Sequence, residues 1–141
     1  MCGESEIIRY RSRLSGALAD RIDMHVTLPP VIPALLENTH GAESSAAIRE
    51  RVERSRDVQR RRYARITSTT CNAGASGRWL TAHGNIEAEA RALLMSAMES
   101  LSLSARAYHR VLRVARTIAD IEQCTSVHAQ HVAEALRYRP R

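Results

Sequence analysis

The chain has 141 residues, of which 44% are apolar and 26% are charged. This size and composition fit one globular domain and exclude a typical two-domain enzyme. No apolar run approaches the roughly 18 residues that a membrane-spanning helix needs, and the N-terminus lacks the apolar stretch of a signal peptide. The sequence therefore predicts a cytoplasmic protein without a membrane anchor.

The basic residues are all arginine: 21 basic residues stand against 15 acidic ones, for a net charge of +6, and no lysine occurs. The planar guanidinium group binds phosphate and carboxylate through two parallel hydrogen bonds, which is compatible with a phosphate-bearing partner. The absence of lysine excludes a Walker A loop within this sequence. Three widely spaced cysteines predict free thiols rather than a zinc site or a disulfide framework.

The N-terminal part predicts a helix and then a strand. Over residues 5–15, apolar residues recur at helical spacing. Over residues 22–28, apolar and polar residues alternate until Pro29 and Pro30, as is typical of a half-buried strand. No second stretch alternates comparably, so this strand lacks a partner and indicates an incomplete fold. From Pro29 to Gly41, the prolines and the lack of periodicity predict a linker or surface loop.

The rest of the chain predicts a helical bundle. A long, largely solvated helix is predicted over residues 44–66, and small polar residues over 67–77 predict a mobile loop. Asn85 is the predicted N-cap of the next helix, and Ser104 is the predicted N-cap of the helix after it. A short last helix carries an apolar face of Val132, Ala135 and Leu136.

Three arginines of the helix after Ser104 lie opposite its apolar stripe. At about 100° per residue, Arg106, Arg110 and Arg113 fall close together on one exposed face. One interpretation is a solvated helix surface. The other is an anion-binding site, for which Arg106 is best placed because free backbone N–H groups in the first turn also favour negative charge.

A second basic concentration lies on the predicted long helix. Residues 49–65 contain eight arginines and three acidic residues. Such a face either keeps the protein soluble or contacts a nucleic-acid backbone in a salt-sensitive manner. Arg60, Arg61 and Arg62 are the candidate contacts in the second interpretation.

No metal site is predicted. His128 and His131 are three residues apart, but no carboxylate or cysteine completes a site at motif spacing. Cys71 has no histidine at a recognisable protease spacing, which disfavours a catalytic thiol.

Four segments together resemble the C-terminal part of magnesium-chelatase-like AAA+ ATPases of the ComM/YifB type. They are RYRSRLSGALADRID, GAESSAAIRERV, EAEARALLMSAMESLSLSARAYHRVLRVARTIADIE and HVAEALRYR. The resemblance implies a mainly α fold. Residues 1–28 would be the last helix and an orphan strand of the nucleotide-binding core, residues 29–43 a linker, and residues 44–141 a helical lid.

The resemblance also implies two site residues. Arg21 matches the arginine finger that such ATPases present to the ATP of a neighbouring subunit. Arg106, in SLSARAYHR, matches the lid arginine called sensor 2, which contacts the γ-phosphate of the nucleotide in its own subunit. The chain departs from the family pattern where Ala17 and Ala19 replace a proline and a larger apolar residue near the finger.

The hypothesis that follows is the lid fragment of a ring-forming DNA motor or helicase. Its partners would be the upstream core, identical subunits in a ring of six, and DNA. ATP and magnesium would be cofactors of the complete protein, and neither is expected to bind this chain tightly alone. Because Walker A and Walker B are missing, no ATPase activity is expected from the chain. The alternative is a small basic helical DNA-binding or assembly module without ATP chemistry.

Overall fold

The computed structural model describes residues 3–13, 21–31 and 43–139, and these residues form six α-helices and one 3-10 helix. The α-helices are α1 (Glu4–Arg11), α2 (Ser45–Tyr63), α3 (Gly77–His83), α4 (Ala88–Ser100), α5 (Ala105–Ile121) and α6 (Ala129–Arg137), and the 3-10 helix spans Asn72–Gly74. Within the described residues, β-type pairing is limited to one bridge between Ile86 and Val127. The prediction of a mainly helical fold is confirmed. None of the described helices has the length and apolar composition needed to cross a membrane.

Residues 22–28, predicted as a half-buried strand, form neither strand nor helix. Their apolar side chains are exposed, from 38% at Ile22 to 84% at Leu28. The backbone groups bond to the bundle instead of to a sheet: Arg110 Nη1 donates to the carbonyl of Ile22 at 2.7 Å, and the N–H of His25 donates to the carbonyl of Tyr138 at 2.7 Å. The predicted strand is therefore not found. Most of the predicted linker, and residues 14–15 at the end of the predicted N-terminal helix, lie outside the described residues.

Serine side chains begin three of the helices. Ser44, Ser76 and Ser104 each accept a backbone N–H at 3.2 Å, which satisfies one of the free donors of the first turn. The predicted cap at Ser104 is thus confirmed. The predicted cap at Asn85 is wrong, because α4 begins only at Ala88. Asn85 instead has a positive φ of 50° and donates to the carbonyl of Thr125 at 3.1 Å, which joins two loops.

Helix α5 is the centre of the fold and contacts α2, α3, the 3-10 helix and α6. Its apolar face packs against residues from α4 and α6 in the main core, whose fully buried members include Leu94, Leu112, Ala115, Val127 and Val132. A smaller cluster around Tyr63 and Leu80 joins α2 to α3. Because both clusters surround α5, the bundle fixes the direction in which this helix presents its arginines.

A buried polar network joins α5 to α2 and the 3-10 helix. We call it the Asp120 network, and its members are Arg62, Asn72, Arg116 and Asp120. Asp120 is fully buried and accepts hydrogen bonds from Arg62, from Asn72 at 2.8 Å and from Arg116 at 3.1 Å. The hydrogen bond and the charge of Asp120 raise the pKa of Arg62 above the ordinary arginine value, although burial opposes this.

Arg116 also connects this network to the loop before α4 and to the loop after α5. Only 1% of its side chain is exposed, and it donates to the carbonyls of Gly84, Cys124 and Thr125 at 3.2, 2.6 and 2.9 Å. Asn72 is also buried, and its backbone N–H donates to Gln59 of α2 at 3.0 Å. Most of the segment 67–77, predicted as a mobile loop, has no regular secondary structure, but it also contains a 3-10 helix whose first residue is a buried member of the network.

Candidate anion-binding site

The site begins at the N-terminus of α5. Ser104 caps the helix, and Arg106 follows within the first turn, where backbone N–H groups have no carbonyl partner in the helix. The side chain of Arg106 is exposed. Within the described part of the chain, it has no ion pair or hydrogen bond. Arg106 therefore projects outward from the bundle, as an anion-binding role requires.

An open cavity of about 230 Å³ lies beside this helix end. We call it the arginine cavity, and it is lined by Arg21, Asp23, Arg106, Arg110 and Arg113. Among the described residues, four guanidinium groups and one carboxylate line this space. Like charges held together repel one another, so an anion with several negative oxygens would reduce the repulsion and receive several charge-assisted hydrogen bonds. The charge of this lining therefore favours a ligand with phosphate or carboxylate groups.

The burial of Arg110 contradicts the prediction that Arg106, Arg110 and Arg113 share one exposed face. Only 6% of Arg110 is exposed, and its Nη1 donates to the carbonyl of Ile22. Arg113 is half-buried, and its Nη1 lies 3.6 Å from Oδ1 of Asp23. Its Nε is buried without a hydrogen-bond partner in the described part of the chain. The helical periodicity placed the three arginines together correctly, but it could not show which of them is buried.

A second cavity of about 320 Å³ adjoins the first and shares Asp23 and Arg110 with it. Its other walls combine apolar side chains of α5 and α6 with the residues that precede α5, from Leu101 to Ser104. The arginine cavity therefore opens next to a partly apolar recess.

Arg21 also lines the arginine cavity, at the start of the described segment 21–31. Its side chain is exposed. Arg21 and Arg106, the two arginines singled out by the family resemblance, thus line one cavity within one chain. Asp23 was not singled out from the sequence, because no local pattern indicates that it would face arginines about 90 residues later.

The three arginines predicted to contact nucleic acid have different surroundings. Arg62 is 17% exposed and pairs with Asp120 in the buried network. Arg60 forms an exposed ion pair with Asp57, and Nε of Arg61 donates to the backbone carbonyl of Asp57 at 3.4 Å. Arg62 therefore holds the bundle together, and of the three only Arg60 and Arg61 are exposed to a partner.

Near α6, the structure assembles a cluster that residue spacing did not indicate. Donor atoms of Glu122, Cys124 and His131 lie within 4.8 Å of one another. However, Nδ1 of His131 accepts the backbone N–H of His128 at 2.9 Å, so the neutral ring carries its proton on Nε2. That nitrogen lies 2.9 Å from Oε2 of Glu122. The first of these hydrogen bonds belongs to the cap of α6, and the second pairs the other ring nitrogen with Glu122.

Comparison with known proteins identifies the family. Residues 42–139 match the family described as magnesium chelatase, subunit ChlI C-terminal, and residues 1–36 match the family described as magnesium chelatase, subunit ChlI. The competence protein ComM of Haemophilus influenzae is 37% identical over 135 residues, which cover 95% of this chain and 26% of that protein.

Two uncharacterized YifB proteins are similarly close. The one from Escherichia coli is 36% identical and the one from Salmonella typhimurium is 35% identical, each over 139 residues that cover 98% of this chain and 26% of the relative. The chain therefore spans about a quarter of the length of these relatives. It belongs to the magnesium chelatase ChlI C-terminal family and corresponds to the C-terminal region of a ComM/YifB-type protein.

Proposed function

We propose that the chain is the lid of a ring-forming, ATP-dependent motor acting on DNA, and that arginines of the arginine cavity contact nucleotide polyphosphate. The observation that carries this proposal is the exposed, unpaired guanidinium of Arg106 within the described residues, at the first turn of α5 beside three further arginines. A helix N-terminus and a guanidinium group favour the same ligand charge, and a polyphosphate supplies it.

In this proposal, Arg106 acts as sensor 2 and Arg21 as the arginine finger. A guanidinium near the transferring phosphoryl group stabilises negative charge that develops in the transition state. The nucleotide-binding core supplies the remaining contacts to ATP, including the P-loop lysine that this sequence lacks and the ligands of Mg²⁺. The helical lid then moves with the nucleotide state, and identical subunits assemble into a ring, for which we propose six members.

The first test measures anion binding by the 141-residue chain. We expect pyrophosphate to bind weakly and to shift the NMR signal of the Arg106 side-chain N–H group. Arg106→Ala should weaken this binding about 10-fold, since a hydrogen bond to a charged group contributes about 1.5 kcal/mol or more. Arg78→Ala is the matched control, because Arg78 is an exposed arginine on α3 that lies outside the cavity. Equal affinities for wild type and Arg106→Ala would contradict the proposal, as would ATP hydrolysis by the chain alone.

The alternative function is a basic DNA-binding module, and the ion pairs of α2 weigh against it. Of the eight arginines in residues 49–65, four form ion pairs with carboxylates, namely Arg51, Arg54, Arg60 and Arg62. These pairs neutralise half of the local positive charge, which reduces the number of phosphates that the helix can contact.

Binding of duplex DNA at several salt concentrations separates the two functions. We expect the triple change Arg49→Ala/Arg61→Ala/Arg65→Ala to alter the affinity by less than about two-fold, since these exposed side chains make only a diffuse contribution. Arg62 is left unchanged because its loss would disturb the Asp120 network. A large loss of affinity together with a shallower salt dependence would favour the DNA-binding module.

A further inference from the structure

The arginine cavity contains its own anion. Among the described residues that line the cavity, Asp23 is the one with a carboxylate, and its Oδ1 lies 3.6 Å from Nη1 of Arg113. At this distance the two charges attract each other without a well-formed hydrogen bond. The side chain of Asp23 is 44% exposed, so water can reach it and the pair is loose. A loose internal ion pair is one that an incoming anion can replace.

Two backbone hydrogen bonds keep Asp23 at the cavity. On one side, the carbonyl of Ile22 accepts Nη1 of Arg110 at 2.7 Å, and on the other, the N–H of His25 donates to the carbonyl of Tyr138 at 2.7 Å. Residues 22–25 are thereby attached to both α5 and the end of α6. A group attached in this way is present at a high effective concentration, and it competes with a free ligand of the same charge.

The chemistry of this competition is simple. Asp23 presents carboxylate oxygens to Arg113 from the same cavity that a phosphate would enter. Arg106 has no such internal partner among the described residues, so an entering anion can contact Arg106 first and then displace Asp23 from Arg113. Phosphate oxygens form stronger paired contacts with guanidinium than a single loosely held carboxylate does.

From this arrangement we propose that Asp23 is a tethered counter-ion of the arginine cavity, which occupies Arg113 until a phosphate-bearing ligand displaces it. Asp23 thus lowers the affinity of the cavity for anions, because a ligand has to displace it from Arg113. The inference rests on the proposed anion-binding function and adds a residue that regulates it.

The test compares pyrophosphate affinities of the whole 141-residue chain by NMR titration. Asp23→Asn keeps the size of the side chain and removes its charge, and it should tighten pyrophosphate binding about two- to five-fold, which is the range expected for a partly exposed ion pair. Asp57→Asn is the control, because it removes the same charge from an exposed pair on α2 that lies outside the cavity. It should leave the affinity unchanged.

A second pair of variants separates tethered competition from a general charge effect. In an Arg113→Gln background, Asp23→Asn should produce no further tightening, because the partner of Asp23 is already absent. Asp23→Ser provides a second substitution, and thermal unfolding followed by circular dichroism verifies that each variant is folded.

The outcomes distinguish failure of this inference from failure of the proposed function. If Arg106→Ala weakens pyrophosphate binding but Asp23→Asn and Asp23→Ser leave it unchanged or weaken it, the counter-ion role is overturned and the anion site stands. If Asp23→Asn tightens binding equally in the Arg113→Gln background, a general charge effect replaces the counter-ion role. If neither wild type nor any variant binds pyrophosphate, both proposals are overturned.

Discussion

Replacing Asp120 by alanine is expected to lower the free energy of unfolding by about 3–5 kcal/mol, the usual cost of removing one member of a buried ion pair. The carboxylate is fully buried and is shared by Arg62, Asn72 and Arg116. Its loss leaves Arg116, of which 1% is exposed, with a buried positive charge and no counter-ion in the described network. Urea unfolding, analysed at constant m-value, measures the effect.

An exposed ion pair provides the control for this measurement. Asp57 pairs with Arg60 on the surface of α2, and Asp57→Ala should change the free energy of unfolding by less than about 1 kcal/mol. Asp120→Asn retains the size of the side chain and should be less damaging than alanine, so it keeps the comparison possible if the alanine variant does not fold. A cost below about 1 kcal/mol for both Asp120 variants would show that the network contributes little to stability.

The parts of the fold that were predicted correctly are those whose sequence signals lie close together in the chain. The start of α5 was predicted because Ser104 and the apolar periodicity after it lie within the same few turns of helix. The last helix was predicted for the same reason. By contrast, the burial of Asn72 depends on Asp120 and Thr117, which are 48 and 45 residues away in sequence. A stretch of small polar residues gives no indication of such partners, so it was interpreted as a mobile loop.

The same distinction applies to the candidate site. Helical spacing alone grouped Arg106, Arg110 and Arg113, and the exposure of Arg106 agrees with that grouping. Arg110 is buried and donates to the carbonyl of Ile22, a contact that spans 88 residues. The alternation over residues 22–28 indicated a strand, but such a pattern forms a strand only when a neighbouring strand receives its backbone groups. In the described residues, the carbonyl of Ile22 and the N–H of His25 bond to the bundle instead.

In a ring formed after joining this chain to a nucleotide-binding core of its family, Arg21→Ala is expected to slow ATP hydrolysis about 10³-fold. Arg106→Ala is expected to slow it about 10²-fold, the usual cost of losing one charge-stabilising donor. Both arginines line one cavity in the single chain, yet the proposed roles assign them to ATP molecules of different subunits. Steady-state rates of uniform rings do not show whether the two arginines act on one nucleotide or on the nucleotides of two subunits, because both variants lose activity in either case.

Rings of mixed subunits can separate them. A subunit whose core lacks the P-loop lysine cannot use its own ATP but still offers Arg21 to its neighbour. When this subunit is mixed with Arg21→Ala subunits, we expect part of the ATP hydrolysis to return. The Arg21→Ala subunit then supplies an intact ATP site, and its neighbour supplies an intact Arg21. Mixed with Arg106→Ala subunits, it should restore nothing, since sensor 2 serves the nucleotide of its own subunit. If Arg21→Ala is not rescued either, then Arg21 and Arg106 act on the same nucleotide, as their shared cavity in one chain would then indicate.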